Sequence, residues 1–266
     1  MHVNENYTDQ TQRGFLFFFE RLARSHPLIY IFVRYLAYVF CIFEDEFQGI
    51  KHLGFKKEIN LIDIGASDGI AIKYISKLIK INKVYIFEPH KPYNKYLKKL
   101  KFKKKIYNYG ISNKNETIKI YTPIYKFFTK KFSLITYSYY NQQHLRKVLN
   151  QNFFLHKDFT IEKRNIYLKK LPVINSKIDL IKIDVNGYEF EIIKSLKSLI
   201  LKNKPTIITE ELSKIALIDK FLKKYDYVCC YYDYKRDKIK RFIPNKSNPL
   251  NFYFLPKHHF SSLKKA

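Results

Sequence analysis

From residue 60 onward the apolar positions alternate between two rhythms. Short apolar runs mark strands at Asn60–Ile64, Lys83–Phe87, Lys104–Tyr109, Ile178–Ile183 and Pro205–Thr209. A final pair, Tyr225–Tyr232 and Leu250–Leu255, is expected to be antiparallel. Between them apolar residues recur at helical spacing. These are Ile70, Ile72, Ile75, Leu78 and Ile79, then Ile192, Ile193, Leu196 and Leu199, then Leu212, Ile215, Ile218, Phe221 and Leu222. A helix opening at Pro92 has Tyr93, Tyr96, Leu97 and Leu100 on its apolar side. Strands that alternate with helices imply a parallel, doubly wound sheet. Residues 112–178 interrupt the rhythm and read as hairpin or irregular structure, with a helix near Gln142–Leu149. An insertion there overlies the strand ends, where specificity is usually decided. The organisation expected is an N-terminal helical extension over residues 1–55 and a core domain over 56–266.

The first strand runs into N-L-I-D-I-G-A-S-D-G-I, residues 60–70. Gly65 and Gly69 bracket a tight turn containing Ala66 and Ser67, and a helix starts after Gly69. Ligands of open α/β sheets bind at the carboxyl ends of such strands. A dinucleotide fingerprint would begin with glycine where Asp63 stands. The pattern is instead D-x-G-x-x-x-G, a form associated with S-adenosylmethionine (SAM). The glycines allow close backbone approach, the turn and helix N-terminus favour a carboxylate, and an acidic residue suits the cationic end of a sulfonium amino acid. The same stretch also reads as a plain glycine turn of an α/β protein, so the rest of the site decides between them.

Glu88 follows Asp63 by 25 residues, at the end of the second strand and before Pro89. A carboxylate there can accept both hydroxyls of a ribose; by itself it also reads as a surface or capping acid. The return of the third strand, Asn108–Ser112 with Gly110 and Ile111, is placed near the adenine. The second distinctive stretch is D-L-I-K-I-D-V-N-G-Y-E-F-E at 179–191. Its Lys182 and Asp184 are charges in or at the end of a buried strand, costly there unless paired or functional. They read either as a structural ion pair or with Asp184 beside the reacting methyl group.

These stretches resemble the FkbM-type SAM-dependent methyltransferases. The resemblance is carried by I-D-I-G-A-S-D-G at 62–69, F-E-P-H-K-P-Y-N at 87–94, Y-T-P-I-Y-K at 121–126, L-I-K-I-D-V-N-G-Y-E at 180–189 and the glutamates after the fifth strand. It spans residues 45–255 and implies a Rossmann-like class I methyltransferase sheet of seven, mostly parallel strands, with SAM as donor and usually O-methylation. Acceptors in such proteins include hydroxyls of polyketides and of sugars in surface glycans. The cofactor set implied is Asp63, Gly65, Ala66, Ser67, Gly69, Glu88, Pro89, Gly110, Ile111 and Asp184. A sugar hydroxyl must lose its proton as the bond forms. Asp184 is the first candidate base, with His90 and Glu210 as alternatives, and Lys182 positions Asp184. The chain departs from the family's D-V-E-G at Asn186, and from its asparagines at Ser67 and His90. Asn186 removes a carboxylate near the acceptor, which keeps a catalytically impaired SAM-fold binding protein as a rival reading.

Composition modifies this picture at the surface. The net charge is +27, which invites a nucleic-acid or anionic-membrane partner. The abundant Lys, Ile, Asn, Phe and Tyr are also residues of A/T-rich codons, and the lysines are spread along the chain. The densest patch, Lys98–Lys105, reads as a solvated face or as an anion-binding surface. Two further rivals are a membrane-docked component whose first 45 residues are the functional part and a nucleic-acid methyltransferase; the loop after the fourth strand lacks the D/N-P-P-Y/F pattern of base amino-methylation, so no nucleic acid is expected. Three cysteines without paired spacing argue against disulfides or zinc, and no metal is expected. A reducing, cytoplasmic setting fits, and the apolar run Phe15–Phe19 is too short for a secretory signal. Leu28–Phe43 is a 16-residue apolar run broken only by Arg34. Residues 14–43 therefore read as capping helices, as a helix peripheral to the inner membrane face with Arg21, Arg24 and Arg34 toward lipid, or as a disfavoured span.

Overall fold

The computed structural model describes residues 26–153, 159–210, 214–244 and 249–263. Helix α1 (Pro27–Phe40) is started by His26, whose Nδ1 accepts from Leu28 N (3.2 Å), and stopped by Cys41 in the left-handed region (φ +53°). A 3-10 helix, Asp45–Leu53, follows. The stretch Pro27–Leu53 is apolar enough to cross a membrane by composition, but the break at residues 41–44 divides it. The 14 residues of α1 span about 21 Å, short of the ~30 Å hydrocarbon layer. Phe47, Ile50 and Leu53 are buried against the main sheet, so the 3-10 helix is part of the core. Residues 1–25, with Phe15–Phe19, Arg21 and Arg24, lie outside the described residues.

The alternating segment folds as β1 (Ile59–Ile64), α2 (Ile70–Leu78), β2 (Ile81–Phe87), a 3-10 turn at Lys91–Tyr93, α3 (Asn94–Leu97) and β3 (Lys103–Tyr107). Next come β4 (Gly110–Ile111), β5 (Glu116–Phe127), β6 (Lys130–Ser133), α4 (Gln142–Asn152) and β7 (Thr160–Lys169). The chain then returns through β8 (Leu180–Ile183), α5 (Glu189–Ser195), α6 (Lys197–Asn203), β9 (Thr206–Thr209), α7 (Ile215–Lys223), β10 (Tyr227–Asp233), β11 (Lys238–Arg241), β12 (Phe252–Pro256) and α8 (Lys257–Leu263).

Among the described residues the main sheet has the order β11-β10-β12-β9-β8-β1-β2-β3. Neighbours from β9 to β3 pair in parallel, and β12 is antiparallel to both β9 and β10. The seven expected strands are all present, and β11 adds an eighth by hairpin to β10. The central strands β1, β8 and β9 are apolar on both faces because helices cover both. Two buried clusters result. One holds Ile62, Ile64, Ile181, Ile183 and Ile207 with α5–α7; the other holds Leu61, Val84, Ile86 and Ile208 with α2 and the 45–53 segment.

The expected helix after Pro92 is short, because Pro92 lies in the 3-10 turn and α3 ends at Leu97. The helix of Ile192 to Leu199 is broken at Leu196 into α5 and α6, although all four residues are buried as expected. The insertion is more ordered than its sequence suggests. β4, β7, β5 and β6 form a second sheet, with β5 and β7 paired over nine residues each. α4 packs on it through Leu145, Leu149 and Phe153, and α1 joins that cluster through Tyr30 and Ile31.

If the 45–53 segment is core, Phe47→Ala, at a position 1% exposed, should lower unfolding free energy by about 3–5 kcal/mol. Urea denaturation followed by far-UV circular dichroism measures it; a change under about 0.5 kcal/mol would mark the segment as peripheral.

Candidate functional site

The carboxyl ends of β2, β1, β8 and β9 lie together at one edge of the sheet, the side on which open α/β sheets have their ligand crevice. At its floor Lys182 stands directly opposite Asp63 in the β1–β8 register. Its ammonium lies 3.3 Å from Asp63 Oδ1 and 3.3 Å from Asp184 Oδ2, and donates to Gly65 O (3.0 Å). Asp63 and Lys182 are buried, while the Asp184 side chain is 38% exposed at the rim. Burial alone would lower the Lys182 ammonium, but Asp63 and Asp184 outweigh it and hold it above its ordinary value. Lys182 thus fixes Asp184 while balancing the charge of Asp63. The cationic partner of Asp63 in this structure is Lys182, and its Oδ2 has no hydrogen-bond partner among the described residues.

The turn after β1 approaches β8 closely. A Cβ on Gly65 would lie 1.9 Å from Asp184 O, and its φ of +78° already favours glycine. Gly69 (φ +80°) closes the turn by donating to Ala66 O (2.9 Å). Ser67 is also left-handed (φ +52°), and its N–H points to Glu88 Oε2 at 2.8 Å. His90 N donates to Glu88 Oε1 at 2.8 Å. Each Glu88 oxygen thus accepts one backbone N–H and retains a second lone pair. Loss of solvent, only partly offset by these N–H groups, pushes the Glu88 carboxyl up to about 7.

Asp68 does two things at the start of α2. Its Oδ1 caps Ile70 N (3.1 Å), and its carboxylate takes Arg34 Nε and Nη2 from α1 (3.2 and 3.1 Å). Lys73 Nζ donates to Tyr38 O (2.8 Å) and Lys77 Nζ reaches Phe40 O (3.4 Å), so α2 also neutralises the C-terminal end of α1. This corrects the expectation for Arg34. It does not face outward, because the buried Asp68 carboxylate is a better partner than solvent.

On the opposite side the edge carries more acids. Asp184 follows β8, Glu210 follows β9, and Asn251 precedes β12, whose Phe252 is registered with Thr209. Asn251 Nδ2 donates to Glu44 Oε2 (2.5 Å), bringing a glutamate from the N-terminal segment into this row. Loss of solvent, then Asp184, pushes Glu44 up to about 7. Glu210 lies exposed at the end of β9; partial loss of solvent, then the nearby Asp184, Glu44 and Glu189, pushes its carboxyl above the usual range. Glu189 is tied down, accepting from Val185 N (3.1 Å) and Gly187 N (3.0 Å).

Of the expected catalytic set, Asp184 and Glu210 come together. His90 stays with Glu88 at the end of β2, two strands or on the order of 10 Å from Asp184. Burial, then Arg164, pushes its imidazole down to about 4, so it is neutral at pH 7 and a weak base. Ala66 is buried and Pro89 half-buried beside the turn. Gly110 and Ile111 are buried in β4, where Gly110 packs against Leu168 of β7 and Ile111 joins the core. Glu44, Asn251 and Asp68 were not found from sequence. Glu44 and Asn251 lie 207 residues apart, a separation that no local pattern carries, whereas Asp68 had a legible capping signal just before α2.

Asn186 has a definite task. It is left-handed (φ +54°), a conformation asparagine tolerates. Its Nδ2 donates to Thr136 O and Ser138 O (both 3.1 Å), pinning the insertion over the crevice. A glutamate there could not donate either bond.

A family model described as the methyltransferase FkbM domain matches residues 63–229, well over half of the chain. No curated protein sequence matches. Among solved structures, a methyltransferase FkbM from Methylobacillus flagellatus is similar at 14% identity and TM-score 0.45, over 77% of this chain and 47% of its own. The chain thus spans about half the length of that protein. The plantazolicin methyltransferase BpumL in complex with SAH is similar at 11% identity and TM-score 0.41, over 79% of this chain and 82% of its own. A precorrin-6y C5,15-methyltransferase from Geobacter metallireducens is similar at 13% identity and TM-score 0.33, over 77% and 82%.

The site predicts two outcomes. If Glu88 takes the ribose hydroxyls of SAM, its ionised form is the better acceptor. SAM affinity measured by titration calorimetry should therefore rise from about pH 6 to about pH 8, and Glu88→Gln should weaken binding and flatten that rise. Without ligand the sign reverses: the raised carboxyl favours the folded state below its unfolded value near 4.5, and this contribution is lost as pH rises through about 7. Lys182→Met should cost about 3–5 kcal/mol in denaturant unfolding by stranding Asp63; the variant Asp63→Asn/Lys182→Met should recover part of it.

Proposed function

The chain belongs to the FkbM family of SAM-dependent methyltransferases, and we propose that it methylates a hydroxyl oxygen of a sugar in a glycan or related metabolite. The observation that carries the reading is the row of carboxyl groups, Asp184, Glu210 and Glu44, beside the cofactor turn. SAM, when bound, supplies an electrophilic methyl group on a sulfonium. The residues that would hold it are Glu88, for the two ribose hydroxyls, and the backbone of the Gly65–Gly69 turn. The fit rests on the free lone pairs of Glu88 and on the cradle that a Gly65 Cβ would fill.

Asp184 accepts the hydroxyl proton. Lys182 fixes its position from below, and its rim exposure lets an acceptor reach it. Glu210 and Glu44, both raised, hold a proton more readily than ordinary carboxyls, and in that form each can donate a hydrogen bond to a hydroxylated acceptor. Much of the catalysis comes from alignment of oxygen, methyl carbon and sulfur; such positioning is worth up to ~7–11 kcal/mol in ideal cases. The rival reading of an impaired binding protein rests on Asn186, whose amide ties the insertion to the loop after β8. A cytoplasmic setting, where SAM is available, goes with the proposed activity.

Labelled methyl transfer from SAM to a panel of mono- and oligosaccharides tests the proposal. Asp184→Asn should lower kcat by about 10²–10⁴-fold with SAM affinity within about twofold of the parent. Full turnover by that variant would remove Asp184 as the base, and transfer to no sugar by the parent protein would remove the acceptor class.

A further inference from the structure

Two apolar surfaces lie outside the cofactor crevice. The β5–β6 hairpin turns in two residues, Phe128 and Thr129, between the registered pair Phe127 and Lys130. Phe128 occupies the left-handed region (φ +51°) and is 91% exposed. Such a turn position favours glycine or asparagine, and a bulky residue there is strained. The tip thus holds an aromatic ring in water on an unfavourable backbone, which neither local structure nor packing explains. Phe127 is exposed beside it, and Lys126, Lys130 and Lys131 surround the pair, all exposed.

The second surface is the outward side of α1. Phe32, Tyr35, Val39 and Phe40 are exposed at helical spacing, while Arg34 on the inner side is held by Asp68. The two surfaces are joined by rings: His26 at the start of α1 meets Tyr125 edge-on at 5.5 Å, Tyr125 stacks with Phe127 at 6.3 Å, and Phe127 meets Phe128 at 4.7 Å. Neither α1 nor residues 117–133 contains an acidic residue. At the other end of α1, Tyr38 packs on Tyr96 of α3, where Lys95, Lys98 and Lys99 are exposed.

We propose that the β5–β6 tip and the outward side of α1 form a docking surface for an anionic lipid bilayer, with Phe127 and Phe128 inserted among the acyl chains and the lysines at the headgroups. Apolar rings below a ring of cations match the interface of such a bilayer. A nucleic acid could stack on the rings but offers nothing to Val39 and Phe40 on the helix. α1, too short to span, lies along the surface with its cofactor-side contacts intact.

Flotation of the purified protein with phosphatidylglycerol-containing vesicles and with phosphatidylcholine vesicles tests this. The protein should float with the anionic vesicles and not with the neutral ones. Phe127→Ser/Phe128→Ser should lower the bound fraction by about tenfold or more, as should Lys130→Glu/Lys131→Glu, with SAM binding and melting temperature unchanged. Failure of the parent protein to float, or undiminished flotation of the double-serine variant, would overturn the proposal. So would retention on RNA without flotation, or a dimer in sedimentation that the double-serine variant dissolves, since each assigns the tip another occupant.

Discussion

The buried contact between Lys182 and the carboxylates of Asp63 and Asp184 is the constraint on which the site depends. It spans β1 and β8 at the one place where both strands end beside the crevice. The lysine also donates to Gly65 O, so one cation orders both the glycine turn and Asp184, the proposed base. Gly65 is required because the Asp184 carbonyl comes within reach of where its side chain would begin. Removing the ammonium would leave the buried Asp63 carboxylate and the Gly65 carbonyl without compensation, a costly outcome. Stability and the proposed chemistry therefore draw on the same three side chains.

Much of this was readable in the sequence. Short apolar runs located the central strands, since a strand covered on both faces must be apolar throughout. The glycine turn, Glu88 at the second strand end and the charged pair in the fourth strand were legible because each breaks the local pattern for a chemical reason. What escaped was long-range. The Glu44–Asn251 bond joins the start of the fold to its end, and nothing near either residue announces it. Arg34 interrupts an apolar run and suits a lipid headgroup by composition, yet its partner is 34 residues away in α2's cap. β11 was missed because Lys238–Arg241 is mostly charged and pairs only at the sheet edge, where backbone hydrogen bonds suffice.

Asn186, where the chain departs from the family pattern, has a structural use of its own. The missing carboxylate suggests lost chemistry. In the structure the amide supplies two donors to the backbone of the insertion, and the neighbouring carboxylate that organises the loop is Glu189. The acids of the crevice come instead from separate strand ends and from the segment before the 3-10 helix, so the row does not depend on residue 186.

The position of β12 has a consequence for how the chain reaches this state. Last in sequence among the described strands, it lies inside the sheet, between β9 and β10. During synthesis the β10–β11 hairpin can form early, yet it has no edge to join until residues 252–256 have emerged. Until then the outer edge of β9 stays unpaired, and Glu44 waits for Asn251. Assembly is thus governed by contacts of high sequence separation, which slows folding and prolongs exposure of an open strand edge. The edge of β9 is therefore open to wrong pairing until β12 arrives.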